Sequence, residues 1–247
     1  MDINSYWENR ATVRRYTDRP VSDELLVDLM AKASHAPTTG NMQLYSVIVT
    51  RNPEMKRLLA PAHFNQPSVD AAPVVLTFCA DYNRFSEWCR QRKAVPGYDN
   101  FQSFIAALLD TALLAQQFNT VAELNGLGCC YLGTTTYNAP QIAELLQLPE
   151  LVVPVTTLTV GYPDGEAVPS DRLAPEAFLH SETYHPYTPE QIDRYYAAKE
   201  ALPESAKFIA ENNKETLAQV FTDIRYTKEN SEFFSKVYAD FIKKQGF

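Results

Sequence analysis

The stretch FQSFIAALLDTALLAQQFNTVAELNGLG, residues 101–128, constrains this chain more than any other segment. Phe101, Phe104, Ile105, Leu108, Leu109, Ala112, Leu113, Val121 and Leu124 cover more of a helix than one core-facing stripe requires. A helix this apolar either runs through the middle of a domain or offers its second face to another chain. Gly126 is the expected stop, since glycine readily takes the left-handed conformation that ends helices.

Two runs, YSVIVT (45–50) and PVVLTFC (73–79), are short, β-branched and almost continuously apolar. They predict strands covered on both faces. GCCYLG and VPVTTLTVG (153–161) also read as strands, with a helix between them near 140–147. PVSDELLVDLMAKASH predicts a helix capped by Ser22, with Asp23 and Glu24 at its positive end and a Val21–Leu26 staple. Leu25, Leu26, Leu29, Met30 and Ala33 form its apolar face, and Pro37 ends it. A short helix is expected at 2–9. Residues 162–188 are proline-rich and without period, which predicts a long loop. Residues 189–199 and 203–245 read as charged helices.

At 247 residues and 45% hydrophobic, the chain is expected to form one sizeable domain, or a domain with an appendage. No apolar run has the roughly 18 residues of a membrane span. MDINSYWENR lacks an apolar leader core, so a cytoplasmic protein is expected. Cys79, Cys89, Cys129 and Cys130 fit no zinc spacing and read as buried, reduced thiols. A net charge of −8 argues against a general nucleic-acid role. Arg10, Arg14, Arg15 and Arg19 nevertheless crowd ten residues. They are either a solvated basic turn or a local anion site.

Standard catalytic motifs are absent. There is no G-x-G-x-x-G, P-loop, G-x-S-x-G or H-E-x-x-H. His180 and His185 read as loop surface, and no metal is expected. What remains suits an organic ligand. SHAPTTGNMQLY (34–45) puts Thr38, Thr39, Asn41 and Gln43 into one loop, as a flat ligand with donors and acceptors requires. Gln66 precedes a buried strand, GCCYLGT can turn backbone N–H groups outward, and Arg172 lies in the proline-rich loop. Arginines grip phosphate bidentately, and a heteroaromatic cofactor carries its own chemistry.

Five stretches in this order, RATVRRYTDRPV, APTTGNMQ, FCADYNR, GLGCCYLGT and DRLAP, resemble the FMN-dependent nitroreductase family. The likeness is to its major oxygen-insensitive nitroreductase and flavin reductase subgroup. The tail DIRYTKEN…FIKKQG resembles the same subgroup, so the likeness spans nearly the whole chain.

The resemblance implies FMN held by Arg10, Thr12 and Arg14, with Arg14 on the phosphate and Arg172 as a second grip. It implies that Thr38, Thr39, Asn41 and Gln43 reach the flavin from a partner subunit. Gln66 is then a ring-edge contact, and Tyr131, Leu132, Gly133 and Thr134 turn their backbone to the reactive edge. Asn41, Met42 and Arg225 fall where the family meets its substrate. Thr12 stands where serine is usual, Ala11 where a polar residue is frequent, Ser170 where lysine is common, and Lys214 near a usual arginine.

The implied fold is α+β: a mixed sheet wrapped by helices, one domain over 1–247, with residues 189–247 a helical excursion onto the other subunit of an intertwined homodimer. The implied reaction takes hydride from NADPH, or NADH, to the flavin and on to a nitroaromatic, quinone or flavin acceptor by a ping-pong route. Donors near the reduced ring stabilise its charge, so no side chain need act as catalytic acid or base. A dehalogenase-like or flavin-fragmenting enzyme of the same fold, or a flavin-binding protein without turnover, is the alternative.

Overall fold

A computed structural model describes residues 3–247; Asp2, at the start of the helix expected over 2–9, lies outside the described residues. The chain divides into two compact units. The first comprises the described residues up to Val168 together with 234–247, and the second comprises Pro169–Phe233.

The first unit begins with α1 (Ile3–Asn9), α2 (Asp23–Ala33), β1 (Tyr45–Thr50), α3 (Pro53–Leu59) and α4 (Pro67–Ala71). β2 (Val74–Asp81), α5 (Asn83–Gln91), α6 (Phe101–Leu124), β3 (Gly128–Leu132), α7 (Ala139–Leu145) and β4 (Val152–Gly161) follow. The Ser22 cap and the Gly126 stop lie where the sequence puts them, and Asn100 adds a cap the sequence reading did not include. Ser22 Oγ accepts the Leu25 N–H at 3.2 Å, and Asn100 Oδ1 accepts the Ser103 N–H at 3.0 Å. Gly126 takes φ +82° just beyond α6.

The strands form one sheet in the order β1-β2-β4-β3. The α+β class is as expected. The sheet, expected to be mixed, is antiparallel at all three ladders among the described residues. A parallel neighbour requires a strand beyond these four. Only β2 is buried along its whole length. β1, expected to be covered on both faces, is an edge strand with Val49 44% exposed.

α6 crosses this sheet. Its Leu114, Ala115, Phe118 and Ala122 pack with Leu76, Phe78, Leu158 and Val160 of the strands and with Leu26, Leu29 and Ala33 of α2. Each fully buried large side chain contributes about 1.5–3 kcal/mol. The opposite face of α6 leaves Leu109 54% and Leu113 46% exposed. The sequence expectation of a helix with two apolar faces is thus met, with one face in the core.

Residues 162–188 run as loop apart from the 3-10 turn Pro175–Ala177, with the second unit beginning at Pro169. Its helices are α8 (Pro189–Glu200), α9 (Pro203–Glu211) and α10 (Leu217–Val220), followed by a π turn at Phe221–Arg225. The run 203–245, read as helical throughout, is therefore interrupted. Asn213 takes φ +51°, and Thr216 opens α10 with a reciprocal capping box to Gln219. α11 (Lys228–Lys244) begins in the second unit, and its residues from Phe234 belong to the first. There Phe241 and Ile242 pack with Phe104 and Val153, and Gln245 Nε2 donates to the Val152 carbonyl at 2.9 Å. All four cysteines are free and buried. No described helix is long and apolar enough to cross a membrane.

Candidate active site

Residues 10–17 run extended beside β3. The Val13 N–H donates to the Cys129 carbonyl at 3.1 Å, and the Thr17 N–H to the Tyr162 carbonyl at 2.9 Å. Two glycines admit this segment. A Cβ on Gly128 would lie 2.5 Å from Val13, and one on Gly161 would lie 2.9 Å from Tyr16. In extended chain, alternate side chains face opposite ways. Val13 and Tyr16, three residues apart, both pack on the strands, so the segment does not keep that alternation. The Arg14 guanidinium sits beside the Cys130 thiol, opposing the rise that burial gives that thiol's pKa. Among the described residues Arg14 forms no ion pair.

Arg10 is differently placed. Its Nη2 lies 3.2 Å from Glu123 Oε1, its Nε donates to Oε2 at 3.2 Å, and Nη1 reaches Thr12 Oγ1 at 3.5 Å. Tyr6 donates its hydroxyl to the same carboxylate at 2.7 Å. Burial, with the carboxylate beside it, pushes that phenol up to about 12. Arg10 therefore neutralises a buried glutamate of α6 while orienting Thr12.

The Cys129 carbonyl points away from β4, toward Val13. In an antiparallel ladder the residue two along points the same way. Tyr131 thus directs its N–H to the free edge of β3. Beyond it Gly133–Thr135 form a 3-10 turn. Thr135 Oγ1 donates to the Leu132 carbonyl at 2.9 Å. Thr134 Oγ1 lies 2.9 Å from His63 Nδ1. His63 is fully buried, which lowers its pKa from 6.5 to about 4. Phe64 and Asn65 then take φ +53° and +52° and lead into Gln66. The Gln66 side-chain amide makes no hydrogen bond among the described residues. His63 thereby joins the segment carrying Gln66 to the turn carrying Thr134.

The polar loop answers to other partners. Gly40, Asn41 and Gln43 take φ +55°, +56° and +55°, a conformation that costs non-glycine residues about 1 kcal/mol or more each. Asp110 Oδ1 accepts the Thr39 N–H at 2.8 Å and the Thr39 hydroxyl at 2.9 Å. Its Oδ2 accepts the Leu44 N–H at 3.2 Å. Arg84 donates to the Gln43 carbonyl. Asn41 and Gln43 are left with one mutual contact of 3.4 Å. Thr38 makes no side-chain cap, and Met42 packs beside Leu44 and Ala80.

In the second unit, Arg172 Nη1 donates to the Ser170 and Asp171 carbonyls at 3.2 and 2.8 Å. Asp171 pairs with Lys199 at 2.9 Å. Arg225, at the end of the π turn, lies 4.4 Å above the Phe208 ring. Lys214 pairs with Asp223 at 2.8 Å.

A cleft of about 770 Å³ beside β1, lined by Arg51, Met55 and Leu145 among others, contains none of the expected site residues. The residues expected to meet the cofactor fall instead into separate sets. Arg14 lies beside Cys130 of β3, 131–134 end that strand and its turn, and Gln66 is linked to Thr134 through His63. The 38–43 loop hangs on α6 and α5.

The nitroreductase family model matches residues 8–162. This chain belongs to the nitroreductase family. A curated FMN reductase (NADPH) of Bacillus subtilis (strain 168) is 33% identical over 179 residues, 72% of each chain. An FMN reductase [NAD(P)H] of the same organism is 28% identical over 99% of this chain and 97% of its own. A solved structure from Bacteroides fragilis NCTC 9343 superposes with a TM-score of 0.97 at 55% identity, over 98% of each chain.

Sequence reasoning missed four residues that hold the candidate site residues of this nitroreductase-family chain in place: Asp110, Glu123, His63 and Arg84. A signal existed for two of them. Within the 24 residues of α6, Asp110 and Glu123 are the only charged side chains, and a lone charge in an apolar helix requires a partner. His63 and Arg84 carry no such mark.

Proposed function

We propose that this chain is an FMN-dependent oxidoreductase of the cytoplasm, working as a homodimer. It takes hydride from NAD(P)H and reduces nitroaromatic, quinone or flavin acceptors. One observation carries the reading: Arg14, without an ion-pair partner among the described residues, lies beside Cys130 of β3, whose free edge carries the outward Tyr131 N–H. That donor set fits FMN, which offers a phosphate dianion and a flat ring edged with acceptors and donors.

When bound, FMN supplies the redox chemistry, accepting hydride and passing electrons on. The chain's own residues bind and orient. Arg14 holds the phosphate, with Arg172 as the second grip and Thr12 placed by Arg10. Gln66 reads the ring edge. Tyr131 at the β3 edge, with Gly133 and Thr134 of the following turn, presents backbone to the reactive side, while Leu132 turns its backbone to β4 and holds that edge in the sheet. Fixed N–H dipoles there stabilise negative charge without reorganising. Thr38, Thr39, Asn41 and Gln43 serve the flavin of the partner subunit, with Asn41, Met42 and Arg225 toward the substrate.

The second apolar face of α6 supports the dimer, since exposed Leu109 and Leu113 on one helix suit an obligate interface. A site completed by a second chain also accounts for the cleft beside β1 holding none of these residues. The whole of 1–247 then acts as one flavin-binding domain, with 189–247 as the excursion.

Titration of flavin-stripped protein with FMN and with riboflavin tests the reading. FMN should bind far more tightly, because riboflavin lacks the phosphate, and sedimentation should show a dimer at micromolar protein. Equal affinities would remove the phosphate grip, and a monomer that retains FMN would remove the shared site.

A further inference from the structure

Asp110 is a carboxylate 2% exposed, in the middle of an apolar helix, without an ion-pair partner among the described residues. Burial of a charge is tolerated only where hydrogen bonds replace water. Here both oxygens are used, and every donor comes from one loop. The Thr39 N–H and hydroxyl reach Oδ1 at 2.8 and 2.9 Å, and the Leu44 N–H reaches Oδ2 at 3.2 Å. The carboxylate caps the 3-10 turn Thr39–Asn41 from a distance, in place of Thr38, whose side chain makes no cap.

The two anchored amides bracket the three left-handed residues Gly40, Asn41 and Gln43. Gly40 and Asn41 are residue types that enter that conformation readily; Gln43 is not, and takes it only under external hold. On the far side Arg84 fixes the Gln43 carbonyl. A buried anion and a guanidinium thus hold opposite backbone groups of one strained turn and set where the Asn41 and Gln43 amides point.

We infer that Asp110 is a positioning residue for the flavin and acceptor site, holding the 39–44 turn in its left-handed form so that Asn41 and Gln43 are presented as a preorganised pair. The inference rests on the reading of that loop as flavin-facing. Asp110 touches neither cofactor nor substrate and acts through the loop.

Asp110→Asn is the test. An asparagine keeps one acceptor for Thr39 but sets an amide N–H₂ against the Leu44 N–H, and the charge is lost. The variant should fold and sediment as wild type. Its Thr39 and Leu44 amides should exchange faster with solvent, and FMN should bind about tenfold more weakly. At saturating FMN the visible circular dichroism of the bound flavin should differ from wild type, which a purely structural role would not produce. Thr39→Val supplies a second arm. Its effect on FMN affinity should be large in the wild-type background and small in Asp110→Ala, where Thr39 has lost its acceptor altogether, because those two changes break the same anchor. Wild-type affinity and flavin dichroism in Asp110→Asn, or additive effects in the double variant, would overturn the inference. Wild-type protein that takes up no FMN would overturn the inference together with the reading beneath it.

Discussion

His63 Nδ1 and Thr134 Oγ1 lie 2.9 Å apart, joining the segment before Gln66 to the turn after β3 through a fully buried imidazole. Burial lowers the histidine from 6.5 to about 4. The unfolded chain takes up this proton near pH 6.5 and the folded chain only near pH 4. Between those values the unfolded state binds more protons, so stability is full above about pH 6.5 and falls as the pH drops toward 4. The gap corresponds to about 3 kcal/mol. Urea unfolding of wild type and His63→Gln at pH 7.5 and 4.5 checks this. The variant should lose less stability over that interval; an equal loss would show that the imidazole does not titrate as its burial dictates.

Glu123, with a side chain 8% exposed, is held by Arg10 and Tyr6. Arg10→Ala leaves the carboxylate with the phenol alone. Breaking a buried pair costs about 3–5 kcal/mol, and the partial exposure of Arg10 reduces that to roughly 2 kcal/mol at neutral pH. Arg10→Met with Glu123→Gln should be milder than Arg10→Ala. Denaturant unfolding of the flavin-free proteins measures both, and a change below about 0.5 kcal/mol in Arg10→Ala would deny the pair a structural role.

Arg14 has no such tie. Its loss should weaken FMN by about tenfold or more, the effect of roughly 1.5–3 kcal/mol from one charged hydrogen bond. Riboflavin affinity should stay close to wild type. If Arg14→Ala weakens both flavins alike, the guanidinium is not on the phosphate.

Arg225 and Lys214 should differ in their effect on the reductant. NADPH should be favoured over NADH. Lys214 is already neutralised by Asp223 at 2.8 Å, and that pairing holds the Asp223 carboxyl below its ordinary pKa. Lys214→Ala should therefore leave the NADPH preference nearly unchanged. Arg225→Ala should slow flavin reduction at low NADPH and raise the KM for nitrofurans. Stopped-flow reduction separates the two residues; an Arg225→Ala protein as fast as wild type at low NADPH would place that side chain outside the site.

The elements legible in the sequence were those with a strong local signal. α6 announced itself by apolar density and β2 by a continuous apolar run, and Ser22 marked the start of α2. α3, α4 and α5 were not anticipated, because seven, five and nine residues give too few turns for a period to emerge. The break at α10 was written as T-L-A-Q, a capping box whose brevity hid it. An apolar run cannot tell an edge strand from a central one, so the exposure of β1 became visible only in the sheet order.

The candidate cofactor residues followed from motif likeness, and their supports did not. Arg10 and Glu123 are 113 residues apart, and Thr39 and Asp110 are 71 apart. Pairings at such separations depend on tertiary packing, to which neither composition nor periodicity refers.

The most direct test is anaerobic mixing of the FMN-loaded protein with NADPH, followed by a nitroaromatic or quinone. The visible flavin band should bleach on the first addition and return on the second, with one NADPH consumed per cycle and no oxygen required. A band that persists through excess NADPH and excess NADH would contradict the assignment of this chain as an FMN-dependent NAD(P)H oxidoreductase.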